Sequence, residues 1–129
     1  MNDVTQNNAQ RAETSARDEL RLKVLRALEA NPELSQRQLA AELGVSLGGV
    51  NYALKALMER GFVKADNFRK SGNKVAYLYV LTPKGIAEKS LLATAFLGRK
   101  LEEYEVLRQE IEALKGEVGS GDSGTGARS

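Results

Sequence analysis

The sequence predicts a mainly α-helical fold with one small β-hairpin, an α+β arrangement, and three observations carry that reading. Two short amphipathic segments meet at Gly44, a run of strand formers follows Gly61 across a polar loop, and a nearly heptad apolar pattern runs from Leu97 to Val118. A helix pair followed at once by a hairpin is the order of a winged helix-turn-helix, here trailed by a long helix.

In chain order, residues 1–17 are rich in Asn, Gln, Thr and Ser and offer little to bury, so a disordered N-terminal arm is expected. The winged helix-turn-helix domain then spans residues 18–82. Asp18 to Ala30 opens with acids suited to a helix N-terminus and places Leu20, Val24, Ala27 and Leu28 on one side. Pro32 ends that helix, and Glu33-Leu34 is expected to supply a short strand at the edge of the hairpin.

Ser35 and Gln38 stand at the spacing of a capping box, each able to satisfy a free backbone N–H of the other. The helix they open carries Leu39, Ala40 and Leu43 on one face and stops at Gly44, where a left-handed residue suits a helix C-terminus. Val45 plugs the turn. Ser46 caps a second helix, Ser46 to Arg60, whose inward stripe is Val50, Ala53, Leu54, Leu57 and Met58.

After Gly61 the period changes. Phe62, Val63 and Lys64 begin an extended run, and Val75 to Leu81 is dense in strand formers. Between them the loop Asp66 to Lys74 carries Arg69, Lys70 and Lys74 around Ser71, Gly72 and Asn73, which suit a turn.

Thr82-Pro83 is a cap followed by a residue favoured in the first helical turn, so a long helix is expected over residues 83–115. Leu97, Leu101, Tyr104, Leu107, Ile111, Leu114 and Val118 are spaced by four, three, three, four, three and four. Such a seam suits a coiled coil, and a rod of about 50 Å is too long to pack on one small domain. The first six of these residues are the expected dimerisation contacts. Residues 116–129, rich in Gly and Ser, read as a flexible tail.

Composition narrows the function. The chain has no Cys and no His, so thiol chemistry, the commonest metal ligand and the usual general base are all missing from the sequence. No metal, cofactor or catalytic residue is expected, and adjacent acids such as Glu102 and Glu103 diverge by about 100° on a helix. No apolar run approaches the length of a membrane span, and a cytoplasmic location is expected.

Charge is unevenly placed: residues 35–89 hold nine Lys plus Arg against four Asp plus Glu, whereas residues 90–118 hold four against six. Positive charge thus gathers on the winged-helix part, as binding to phosphates requires. The outward face of the second helix carries Ser46, Leu47, Gly48, Gly49, Asn51, Tyr52 and Lys55 near its N-terminal end. Small, hydrogen-bonding and cationic groups at that place suit a major-groove reader of double-stranded DNA. Asn51 is the best base reader because its amide can pair with adenine, and Lys55 suits a guanine or a phosphate. Arg69, Lys70, Asn73 and Lys74 of the hairpin tip are expected along the phosphate backbone. Winged helices also serve as protein-docking modules, which is the alternative reading.

The stretch NPELSQRQLAAELGVSLGGVNYALKALMERGFVKADNFRKSGNKVAYLYVLTPKGIAEK, followed by FLGRKLEEYEVLRQEIEAL, resembles the exopolysaccharide-associated branch of the MarR family of bacterial transcription regulators. SLGGVNYALKAL and LTPKGIAEK are its more specific parts. The resemblance implies a homodimeric DNA-binding regulator of extracellular polysaccharide genes, with Ser46 to Arg60 as recognition helix and Asp66 to Lys74 as wing. A typical member of the wider family builds its dimer from helices at both chain ends and lodges a small ligand between the lobes. The polar N-terminus expected here departs from that pattern and leaves an effector unassigned.

Overall fold

The computed structural model describes the backbone of residues 2–70 and 74–128 and the side chains of residues 7–67 and 77–120. Its elements are α1 (Asn2–Ala30), α2 (Gln36–Leu43), α3 (Leu47–Glu59), β1 (Val63–Lys70), β2 (Lys74–Leu81) and α4 (Pro83–Arg128). The α+β fold class and the winged helix-turn-helix order are as the sequence predicts. Two compact units divide the chain, residues 1–93 and 94–129.

The first unit is built on local signals that the backbone obeys. Ser35 Oγ accepts from Gln38 N at 3.1 Å while Gln38 Oε1 accepts from Ser35 N at 2.9 Å, closing the capping box. Gly44 sits at φ 67°, a left-handed conformation that costs a residue with a Cβ about 1–2 kcal/mol. Its N–H and that of Val45 return to the carbonyls of Ala41 and Ala40, so α2 ends cleanly and the chain turns into α3. Ser46 caps α3 by accepting from Gly49 N at 3.0 Å, and Gly61, at φ 77°, releases the chain into β1.

The core lies among α1, α2, α3 and the base of the hairpin. Leu25, Leu28, Leu39, Leu54, Leu57, Val24 and Val50 are completely buried, joined by Leu22, Phe62, Val63, Tyr79 and Leu92. Burying each Leu is worth about 1.5–3 kcal/mol against leaving it exposed. Among the described residues no polar or charged residue is buried. The inward row of α1 differs from expectation: Leu22 and Leu25 are buried, while Leu20 is only half-buried. The buried stripe is wider than one i, i+4 row because α1 packs against α2, α3 and β2 together.

Four expectations are corrected. Residues 2–17 are the N-terminal part of α1 rather than a disordered arm. No Gly or Pro interrupts residues 2–30, so the i→i−4 ladder extends outward from the buried part of α1 through residues that themselves bury little. Glu33-Leu34 forms no strand. The sheet has two antiparallel strands, and the bond to β2 in this region comes from the preceding residue, with Tyr79 N donating to Pro32 O at 3.1 Å. The loop of the hairpin is shorter than Asp66 to Lys74, since pairing continues from Val63↔Leu81 out to Lys70↔Lys74. Finally, α4 runs on to Arg128 instead of ending at Lys115, taking in the Gly- and Ser-rich residues expected to be a flexible tail.

Within the first unit, the start of α4 is held by close contacts. Thr82 Oγ1 donates to Gly61 O at 2.6 Å and accepts from Gly85 N at 3.0 Å, and Thr82 N donates to Phe62 O at 3.0 Å. Lys84 Nζ donates to Arg60 O at 3.0 Å, placing a cation at the C-terminus of α3, and lies 5.2 Å from the Phe62 ring centroid. Farther along α4, Lys89 pairs with Glu29 of α1.

The second unit, taken by itself, is the helix from Thr94 onward. Arg99 and Lys100 lie over the Phe96 ring. Lys100 to Glu103, Arg108 to Glu105 and Lys115 to Glu112 form ion pairs three residues apart. The Arg108 guanidinium holds the Glu105 carboxyl below its usual range, and Glu105 in turn raises Arg108. Along this helix Leu97, Leu101, Tyr104, Leu107, Ile111, Leu114 and Val118 are all exposed, by 42 to 64%.

Candidate nucleic-acid interface

The N-terminal half of α3 has one face in the core and one in solvent. Val50, Ala53 and Leu54 point inward, which turns Asn51, Tyr52 and Lys55 outward. Ser46, Leu47 and Gly48 are exposed in the first turn, and Gly49 is half-buried beneath the Ser46 cap. Tyr52 is exposed by 71% and Leu47 by 43%. The structure therefore puts Ser46, Leu47, Gly48, Gly49, Asn51 and Tyr52 at the N-terminal end of α3, with Lys55 exposed one turn farther along.

The two glycines differ. A Cβ on Gly49 would stand 3.1 Å from Ser46 Oγ, so that position is shaped by the cap, whereas a Cβ on Gly48 would meet nothing within 4 Å. Gly48 leaves a smooth, open helix end where free backbone N–H groups point outward, an arrangement that favours an anion.

Asn51 is held. Its Nδ2 donates to Gln36 Oε1 at 3.1 Å, and Gln36 Nε2 donates in turn to the Tyr79 hydroxyl at 3.1 Å. This relay joins the first residue of α2, the outward face of α3 and strand β2. Sequence reasoning singled out neither Gln36 nor Tyr79 for it, because they lie 15 and 43 residues from their partners and no local pattern marks such a pairing. A second unanticipated neighbourhood adjoins Tyr52, where Arg17, Leu20 and Arg21 of α1 line a crevice of about 30 Å³ with Tyr52, Ala53 and Ala56. It sets two arginines beside the exposed face of α3.

Of the expected wing residues, Arg69 and Lys70 fall at the end of β1 and Lys74 at the start of β2. Their side chains, and Asn73 altogether, lie outside the described residues. Among the described residues no group of three or more acidic, His or Cys side chains could hold a metal ion, and no helix is long and apolar enough to cross a membrane.

The fold agrees with the comparisons. Residues 17–64 match the family model described as winged helix-turn-helix DNA-binding. The match begins within α1 and ends at the start of β1, so it takes in α2, α3 and the turn between them. The segment has the fold of a winged helix-turn-helix. No curated protein matches the chain. Among solved structures, the adhesin competence repressor AdcR of Streptococcus pyogenes is similar at 21% identity and a TM-score of 0.55, over 84% of this chain and 78% of that one. A MarR family transcription regulator is similar at 15% identity and a TM-score of 0.52, over 93% and 88%. MarR of Staphylococcus aureus, in complex with salicylate and kanamycin, is 18% identical at a TM-score of 0.47, over 68% of this chain and 56% of its own length. At these identities the likeness to AdcR and to the MarR family regulator is one of fold.

Proposed function

We propose that this chain is a sequence-specific transcriptional regulator that binds an inverted repeat in double-stranded DNA as a homodimer. The observation that carries the reading is the exposed, Ser46-capped end of α3, with Asn51, Tyr52 and Lys55 turned outward on a segment that matches DNA-binding winged helices. In this reading α3 enters the major groove, Asn51 reads an adenine, and Lys55 meets a guanine or a phosphate. The hairpin residues Arg69, Lys70, Asn73 and Lys74 follow the phosphate backbone and add affinity with little sequence preference.

The apolar seam of the second unit supports dimerisation, since exposed Leu97, Leu101, Tyr104, Leu107, Ile111 and Leu114 form a stripe that a second copy can cover. Two protomers related by a two-fold axis present two α3 helices to half-sites about one helical turn apart, roughly 34–36 Å. Control of extracellular polysaccharide genes follows from the resemblance of SLGGVNYALKAL and LTPKGIAEK to that branch of regulators.

Fluorescence anisotropy tests the reading, using the DNA upstream of the chain's own gene against a random duplex across a salt series. Preference for the upstream DNA, with affinity falling steeply as salt rises, is the expected result. Absence of binding at low salt would overturn it in favour of a protein-docking module.

A further inference from the structure

The relay through Gln36 has a role that neither the family match nor the charge pattern assigns. An asparagine reads adenine with two atoms at once, its carbonyl oxygen accepting from N6 and its amide donating to N7. A free asparagine amide on an exposed helix rotates among rotamers and between its two end-for-end orientations, and holding one of them for the base costs entropy at the moment of binding. Here the orientation is set beforehand. Gln36 Nε2 is engaged by the Tyr79 hydroxyl, which turns Gln36 Oε1 toward α3, and that oxygen takes one of the two Asn51 amide hydrogens. Asn51 keeps one N–H and its carbonyl oxygen, the pair that adenine requires.

Tyr79 is an anchor in this arrangement. It is 9% exposed, stands opposite Ala65 in the hairpin, and donates its backbone N–H to Pro32 O. Gln36 is half-buried and lies within the Ser35–Gln38 capping box, so its backbone is fixed as well. The relay thus runs from a rigid, packed phenol to an exposed amide.

We propose that Gln36 is a positioning residue for base recognition: with Tyr79 behind it, it presents the Asn51 amide in the orientation that accepts adenine. The proposal rests on the reading of α3 as the groove-entering helix. Gln36 acts on discrimination between sequences rather than on general attraction to DNA, because it carries no charge and releases no counterions.

The experiment uses the full chain and a duplex selected by the wild-type protein from a pool with a randomised core, compared with an unselected random duplex. Gln36→Ala is expected to lower the preference for the selected duplex on the order of tenfold. Binding to the random duplex, the slope against salt and the melting temperature should stay close to wild type. Replacing the adenine assigned to Asn51 should cost the wild type affinity and cost Gln36→Ala little. Gln36→Ala combined with Asn51→Ala should lose no more preference than Asn51→Ala alone, and Tyr79→Phe, which severs only the outer link, should show a smaller loss in the same direction. Additive losses in the double variant, or an equal loss on both duplexes in Gln36→Ala, would overturn the positioning role while leaving the DNA reading intact. A wild-type protein that enriches no sequence would overturn the DNA reading itself, and the positioning role with it.

Discussion

Gly85 lies against the backbone of Phe62 so closely that a Cβ built on it would stand 2.0 Å from the Phe62 carbonyl oxygen and 2.9 Å from its carbonyl carbon. No flexible side chain can give way there, since the obstacle is main chain that already accepts from Thr82 N. Gly85→Ala must push the first turn of α4 off the end of α3. It is expected to destabilise the first unit by about 1–3 kcal/mol or more, read as a lower urea midpoint. Gly98→Ala is the matched control. Its Cβ would meet nothing within 4 Å in the middle of a helix, so up to about 1 kcal/mol of stabilisation is expected from propensity alone.

Gly48→Ala separates stability from function. Open space surrounds the added methyl, and alanine favours a helix over glycine by up to about 1 kcal/mol, so thermal stability should hold or rise. The same methyl would thicken the helix end proposed to approach the phosphates. DNA affinity should therefore fall while the melting temperature does not, and parallel changes in the two measurements would count against that role.

Asn51→Ala and Lys70→Ala should leave opposite signatures in one salt titration. Removing Asn51 is expected to reduce the ratio of specific to random affinity at every salt concentration. Removing the hairpin lysine should weaken both duplexes alike and flatten the logarithmic salt slope by about one unit. A specific-to-random ratio that falls in Lys70→Ala would mean that the wing reads sequence.

Leu107→Glu tests the seam. The side chain is 53% exposed in the chain by itself, so a carboxylate there costs the protomer little, but in a paired helix it would be buried without a partner. Sedimentation equilibrium should show the wild type as a dimer and the variant as a monomer of unchanged helicity. A variant that sediments with the wild type would place the dimer contact elsewhere.

The far end of α4 carries Gly116, Gly119, Gly121, Gly124 and Gly126, each about 1 kcal/mol less favourable in a helix than alanine. Amide exchange should accordingly be fast from Gly116 onward and slow in α3. Comparable protection at both places would show that a further contact stabilises that end.

These contrasts mark what could be read from residue order. Ser35 with Gln38, Gly44, and Ser46 were legible because caps and left-handed turns are settled within four residues of the chain. The burial of Val50, Ala53, Leu54 and Leu57 was legible because one helical period decides it. The extent of α1 and α4 was not: polarity argued against order at both ends, whereas helix continuity depends on whether the backbone ladder is broken. Leu22 and Leu25 were missed because three elements, rather than one, pack on α1. At the candidate interface the outward residues of α3 could be named, but the hold of Gln36 on Asn51 required the fold to bring separate stretches together, and so did the approach of Gly85 to Phe62.

The four tyrosines are scattered in a way that has a practical outcome. Tyr52 stands open on α3, Tyr77 on β2 and Tyr104 on the apolar seam, while Tyr79 is packed in the core. With no tryptophan in the chain to outshine them, tyrosine emission reports on the four rings together, while their four sets of ring resonances report separately on three surfaces and the interior. Selective isotope labelling of this single residue type would turn the protein into its own sensor: a titrant that perturbs one ring and spares the others reveals, from spectra alone, which face it has touched.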